Sequence, residues 1–342
     1  MINTLAAFLS VLLPFSSSAL PAAKAPIQNP VFDLKQFAPY GPKADGGDYT
    51  IAPPFHNCPE MTPRDGVAKG HVEHFVMDST DSAIFPGISK SDPGHIVPYH
   101  RRVSVYIPAG YVTGTPTPFL ITQDSMGSGE LPRILDNMIA DHRVPSMAAI
   151  MIDSGGSDAQ GSERGLEYDS MNGQYAQFVE TEVLPRITKD YHVTFTKDPD
   201  ARMTMGGSSG GACAFTMAWY RPDLYHRVLT YSGTYVNQAW PPYYESPRGA
   251  WEYHAHFVPE TRRKPLRIWM EVGENDLRSK DPESTWHNWV LANQRMAAAL
   301  KAKHYPYQYV FAQGAGHVDG GALRQTLAQA LEWVWKGYRA KN

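Results

Sequence analysis

From residue 103 onward the chain is punctuated by short apolar runs, at 103–107, 119–122, 148–152, 202–205, 228–231, 266–270 and 307–311. Most contain at least two consecutive apolar positions rather than a strict alternation, the pattern of strands buried on both faces. Between several of them the period changes to that of a helix. Trp286, Trp289, Val290, Asn293, Met296, Ala297 and Leu300 share one helical face, and Leu323, Leu327, Ala330, Leu331, Val334 and Tyr338 share another. Such stripes are core contacts, so their tryptophans are read as packing. The alternation predicts an α/β fold: a mainly parallel central sheet with helices on both faces.

The first 91 residues follow a different pattern. Residues 5–15 are apolar and run into Ser16-Ser17-Ser18-Ala19, which is the layout of a signal-peptide core ending at small residues, although no Lys or Arg precedes it. A signal peptide is therefore expected over 1–23, with a secreted or periplasmic protein as its consequence. The run is too short for a membrane span. Residues 24–91 are rich in Pro, Gly and Asp and read as an N-terminal extension whose one strand, 71–77, joins the sheet edge. Residues 92–342 are left as the catalytic domain.

Composition narrows the function classes. Lys plus Arg total 31 against 34 for Asp plus Glu, a net charge of −3, with no basic stripe interleaved with aromatics, so a nucleic-acid partner is not expected. His71 and His74 point to opposite faces of a strand, and His254 and His256 have no third ligand at a recognisable spacing, so no metal or other cofactor is expected. Of the two cysteines, Cys213 is read as a small buried hydrophobe.

One motif carries chemistry. Arg202-Met203-Thr204-Met205-Gly206-Gly207-Ser208-Ser209-Gly210-Gly211 reads as a strand driven through a glycine-rich turn into a helix, and it contains Gly-x-Ser-x-Gly. A serine hydroxyl needs a sharp, exposed turn within reach of a base to act as a nucleophile. Two frames fit. The one centred on Ser208 puts Gly206 and Gly210 around the turn and leaves Gly211, Ala212 and Ala214 as the small first helical turn, so Ser208 is preferred to Ser209. An acid and then a histidine should follow, each just beyond a strand. After 266–270 come Glu274 and Asp276, of which Asp276 is the candidate acid; after 307–311 comes Gly314-Ala315-Gly316-His317, with His317 the candidate base.

Taken in order, Val105-Tyr106-Ile107-Pro108-Ala109-Gly110-Tyr111, Phe119-Leu120-Ile121-Thr122-Gln123-Asp124-Ser125, Arg133-Ile134-Leu135-Asp136-Asn137, Arg164-Gly165-Leu166-Glu167-Tyr168-Asp169, Glu182-Val183-Leu184-Pro185, the serine turn and Arg221-Pro222-Asp223 resemble the esterase D or enterochelin-esterase-like family of α/β-hydrolases. The resemblance runs from about residue 101 to 338. It implies the α/β-hydrolase fold and an oxyanion hole made by the backbone N–H of Ser209 with a second N–H at Ser125 or Met126. Ser125 stands where relatives often carry glycine. Arg164, with Glu167 and Tyr168, is either a substrate-binding group or part of a structural anchor.

These features lead to the expectation of an exported serine esterase that cleaves a small-molecule or carbohydrate ester through an acyl-enzyme. An acyltransferase or a serine peptidase would use the same three residues; a non-catalytic carbohydrate-binding protein would not need them. An aromatic insertion between residues 235 and 259 includes Trp240 and Trp251, candidates for walls of a substrate pocket. Siderophore, feruloyl and acetyl-sugar esters all remain open.

Overall fold

The structure is a computed structural model that describes residues 33–88, 94–155, 163–239 and 243–340. The expected signal segment and Trp240 lie outside the described residues. Among those described, ten strands form one sheet: β1 (Ala38–Pro39), β2 (Gly47–Ile51), β3 (His71–Asp78), β4 (His100–Ile107), β5 (Phe119–Gln123), β6 (Ala148–Ile152), β7 (Arg202–Gly207), β8 (Arg227–Tyr231), β9 (Arg267–Gly273) and β10 (Tyr307–Ala312). Their spatial order is β1-β2-β10-β9-β8-β7-β5-β6-β4-β3. All neighbours are parallel except that β4 runs antiparallel to both β3 and β6.

Alternate side chains of the central strands enter opposite cores, as a period of two requires. Phe119, Ile121, Ile150, Val228, Ile268 and Met270 face one layer. It is covered by α3 (Gln174–Phe178), α4 (Leu184–Tyr191), α5 (Ser209–Tyr220) and α7 (Trp289–Ala302). Leu120, Met151, Met203, Met205, Leu229 and Trp269 face the other, under α1 (Leu131–Ala140) and α8 (Gly320–Trp335). Double coverage is why these strands read as continuous apolar runs.

Connectivity places the functional end. From β5 the chain moves outward to β6, whereas β7 returns to the other side of β5 and β8, β9 and β10 continue away from it. The direction of winding therefore reverses between β5 and β7. In open α/β sheets a crevice forms at such a reversal, outside the carboxyl ends of the strands. Those ends carry Gln123-Asp124 on one side and Gly207-Ser208 on the other.

Three expectations change. Residues before 92 supply β3 at one edge, but also β1 and β2 at the far edge beside β10, where Ile51 is buried. Trp286 is outside the helix assigned to it: it has φ 54° after a turn of 3-10 helix, and α7 starts at Trp289, where the Asn288 carboxamide accepts the Leu291 N–H at 2.9 Å. Tyr338 lies beyond α8 and packs edge-on against Trp335. Cys58 and Cys213 are both buried and free.

Candidate active site

The turn after β7 closes because glycine occupies its contact points. A Cβ at Gly206 would lie 2.3 Å from the Gly210 carbonyl oxygen, and one at Gly207 would meet Val318 Cγ1 at 2.9 Å. Ser208 sits at the apex with φ 56° and ψ −129°, a conformation that costs a non-glycine residue about 1–3 kcal/mol and must be held by its surroundings. The Ser208 N–H donates to the Tyr231 carbonyl at 2.9 Å, and the Ser208 carbonyl accepts from Thr234 N–H at 3.1 Å. Ser209, one residue on, is fully buried, and its hydroxyl accepts from Gln238 Nε2 at 3.2 Å. The same hydroxyl and carboxamide bond Asp169, whose carboxyl is nonetheless pushed up to about 7 because burial outweighs those bonds.

The acid and histidine loops are tied to each other. Glu274 N–H donates to the Ala312 carbonyl at 2.9 Å, Asn275 N–H to the Ala315 carbonyl at 2.8 Å, and the Glu274 carboxylate accepts the Gly314 N–H at 2.8 Å. Glu274 thus clamps the loops. Asp276 turns inward, its side chain wholly buried, and Oδ1 accepts both the Leu277 N–H at 2.6 Å and His317 Nδ1 at 2.5 Å. Val318 follows the histidine at φ 46° and donates its N–H to Ser232 Oγ at 2.9 Å.

Two residues that the sequence reading did not single out for chemistry join the serine to the histidine. Thr234 Oγ1 lies 3.5 Å from Ser208 Oγ and accepts the Trp289 indole N–H at 3.3 Å. The Trp289 ring stands edge-on to the His317 imidazole, centroids 6.1 Å apart. With its acceptor side used by Trp289, the Thr234 hydroxyl can donate to Ser208 Oγ, leaving the serine proton to point elsewhere. Trp289 is also a core residue, as its apolar helical stripe implies, and is 5% exposed. Its place at the first residue of α7, next to a capping asparagine, was the available signal.

The loop after β5 departs from expectation. Asp124 and Ser125 both have positive φ, 54° and 48°, which curls the loop back on itself. The Asp124 N–H then donates to the Tyr168 hydroxyl oxygen at 3.0 Å, Ser125 N–H to the Ile152 carbonyl at 3.1 Å and Met126 N–H to the Gln123 carbonyl at 3.1 Å. Neither Ser125 nor Met126 therefore offers an unspent N–H here. Ser209 does better, since its N–H opens α5, where the first turn has no intrahelical acceptor.

Arg164 serves as a link in an anchor. Its guanidinium pairs with the Asp124 carboxylate, Nη2 to Oδ2 at 2.8 Å, and lies over the Tyr168 ring. Its helix α2 (Glu163–Tyr168) is held by a buried ion pair between Glu167 and Arg101 of β4. Trp251 is 1% exposed, edge-on to His254 and under Arg295, so it packs the core and walls no open pocket. His254 is buried with its pKa lowered to about 3 by burial, and His256 pairs with Glu252 and Glu260. A groove of about 570 Å³ leads from Ser125, Ser128 and Asp153 across His74, Val76 and Arg102 of β3 and β4.

The sequence profile of the family described as "Putative esterase" matches residues 95–334. A search of curated proteins finds no match. Among solved structures, a ferulic acid esterase superposes with a TM-score of 0.55 at 17% identity, over 78% of this chain and 98% of its own. The feruloyl esterase module of Clostridium thermocellum, solved with sinapinate, gives 0.52 at 15% identity over 85% of this chain and 97% of its own. The enterobactin esterase of Shigella flexneri gives 0.53 at 20% identity over 78% of this chain; this chain spans only 59% of that protein. At such identities the likeness is one of fold, and the fold is that of the α/β-hydrolases. The matched profile covers most of the sequence, and the chain belongs to this esterase family.

Proposed function

We propose that the protein is an exported serine esterase in which Ser208 is the nucleophile, His317 the general base and Asp276 the residue that orients it. The observation that carries the reading is the 2.5 Å contact of His317 Nδ1 with a wholly buried Asp276 carboxylate, beside a serine held at positive φ where the sheet reverses its winding. With Nδ1–H donated to Asp276, the Nε2 lone pair is the one left to take a proton. His317 removes the Ser208 proton as Oγ attacks the ester carbonyl. Collapse of the tetrahedral intermediate breaks the C–O bond, and the imidazolium protonates the departing alcohol. Water, deprotonated by the same imidazole, then cleaves the acyl-serine and releases the acid.

The Ser209 N–H, at the positive end of α5, supplies one oxyanion donor; such a donor is worth about 10²–10³ in rate. A second from Met126 requires its hydrogen bond to Gln123 to be shared or broken. Burial and commitment of the Ser209 hydroxyl favour Ser208 as nucleophile. Fold neighbours solved with sinapinate and with 2,3-dihydroxy-N-benzoyl-serine, an acid whose ring is joined through an amide, make esters of acids that carry an aromatic ring the first substrates to try. The test is fluorophosphonate labelling with the adduct mapped by mass spectrometry, run beside a panel of feruloyl, dihydroxybenzoyl and acetyl esters. Ser208→Ala should fold, take no label and hydrolyse nothing. An adduct on Ser209 with Ser208 untouched overturns the assignment. Export is checked by N-terminal sequencing of the protein recovered outside the cytoplasm, which should begin shortly after Ala19 or Ala23.

A further inference from the structure

A second concave site lies at the opposite end of the sheet, where the strands begin. Arg227 opens β8 and Arg267 opens β9, and with Arg263, Lys264 and Lys336 they line a pocket of about 250 Å³. Five residues of β8 separate it from the serine end, about 15 Å at the usual rise per residue.

These cations are held in place mainly by carbonyls and rings, and the nearby carboxylates Asp200, beside Arg227, and Asp45, near Arg267 and paired with Lys336, offset only part of their charge. Arg227 donates to the carbonyls of Asp200 and Val334 and lies against the Trp335 ring. Arg267 donates to the Trp333 carbonyl at 2.8 Å with its guanidinium 3.8 Å from that ring's centroid. Lys264 bonds the Trp219 carbonyl over the Trp219 ring, and Arg263 bonds the His304 carbonyl at 2.7 Å. Among the described residues none of these four forms an ion pair with a carboxylate, and the one lining acid, Asp200, is taken by His226. Only Lys336 is paired, with Asp45. Carbonyls and rings fix direction but cancel no full charge, so several positive groups converge on one space. Burial accordingly lowers Arg227 to about 10 and also lowers Lys264 and Arg267, the response of cations that an anion would relieve.

We infer that this pocket is an anion-binding site, separate from the serine site, that takes the tetrahedral oxyanion of a phosphate or sulfate group. Planar guanidinium forks arriving from different strands suit an anion with several oxygens, and the cavity is roomier than a bare ion needs. The source is either a free inorganic anion or a phosphate or sulfate ester on a sugar polymer.

The test is calorimetric titration and thermal melting of the full chain with sodium phosphate and with dextran sulfate, against sodium chloride at equal ionic strength. Phosphate should bind saturably and raise the melting temperature where chloride does not. The double variant Arg263→Gln/Lys336→Gln changes two exposed side chains, should keep the wild-type circular dichroism and fluorophosphonate labelling, and should weaken phosphate binding by about tenfold or more. The same loss against dextran sulfate identifies a polymer-borne group as the source, and a response to phosphate alone identifies the free anion. An equal effect of chloride, or wild-type phosphate binding by the double variant, overturns the inference.

Discussion

Glu271 offers a measurement of how the sheet tolerates a carboxyl group in its core. It lies in β9 at 4% exposure, accepts a hydrogen bond from Thr326 Oγ1 at 2.9 Å, and is raised by burial from 4.5 to about 8. The folded protein therefore keeps a proton that the unfolded chain releases from about pH 4.5 upward. Stability consequently falls as pH rises from 4.5 and levels off once the folded group ionises, above about 8. At 1.36 kcal/mol for each pH unit of the gap, the full loss is about 5 kcal/mol, of which about 4 kcal/mol falls between pH 5 and 8.5. Glu271→Gln keeps the size and the acceptor for Thr326 but cannot ionise, so this loss should vanish. Urea unfolding followed by tryptophan fluorescence at half-unit steps gives both curves. The variant should gain on the wild type by about 4 kcal/mol across that range. Stability profiles for the two proteins that run parallel from pH 5 to 8.5 would refute the reasoning.

Other substitutions probe the site itself. Gly206→Ala places a methyl 2.3 Å from the Gly210 carbonyl oxygen, so the turn at Ser208 cannot close; activity should be lost and the melting temperature lowered in a thermal scan. Asp276→Asn should cut kcat by about 10⁴ with little change in KM, because the amide favours the wrong imidazole tautomer. Thr234→Val removes the hydroxyl between Ser208 Oγ and the Trp289 indole; steady-state kinetics should show kcat down about tenfold, while a variant with unchanged kcat would leave Thr234 with packing alone. Arg164→Gln frees Asp124 and should lower thermal stability by no more than about 1 kcal/mol, because the pair is partly exposed, while KM for the best ester stays near wild type in steady-state kinetics.

The strands from 103 onward were legible because both their faces are covered, and continuous apolar runs mark that situation without help from tertiary contacts. The order of serine, acid and histidine was legible for a related reason: each stands just past such a run. What escaped depends on partners distant in sequence. Gly47–Ile51 has one buried apolar residue and becomes a strand because β10 offers it an edge. Trp251, in an aromatic-rich insertion, looked like a pocket wall, and only its contacts with His254 and Arg295 reveal core packing. The N–H groups of Ser125 and Met126 are consumed by a curl in the backbone that no side-chain pattern encodes.

That curl belongs to a wider distribution. Asp124, Ser125, Ser208, Ser232 and Val318 all hold positive φ without being glycine, and all lie just past the carboxyl ends of β5, β7, β8 and β10. At about 1–3 kcal/mol each, these five put a conformational load at the serine end of the sheet, beside that of the left-handed His142, His192 and His304, which end α1, α4 and α7. A β-branched Val318 at φ 46° is the most costly of these, and its methyls pack where a Gly207 side chain would stand. Thermostability and turnover therefore pull against each other in this region: variants that relax these residues should melt later and work less well. Selection for a sturdier enzyme would find its harmless gains elsewhere, in the helices and the outer strands.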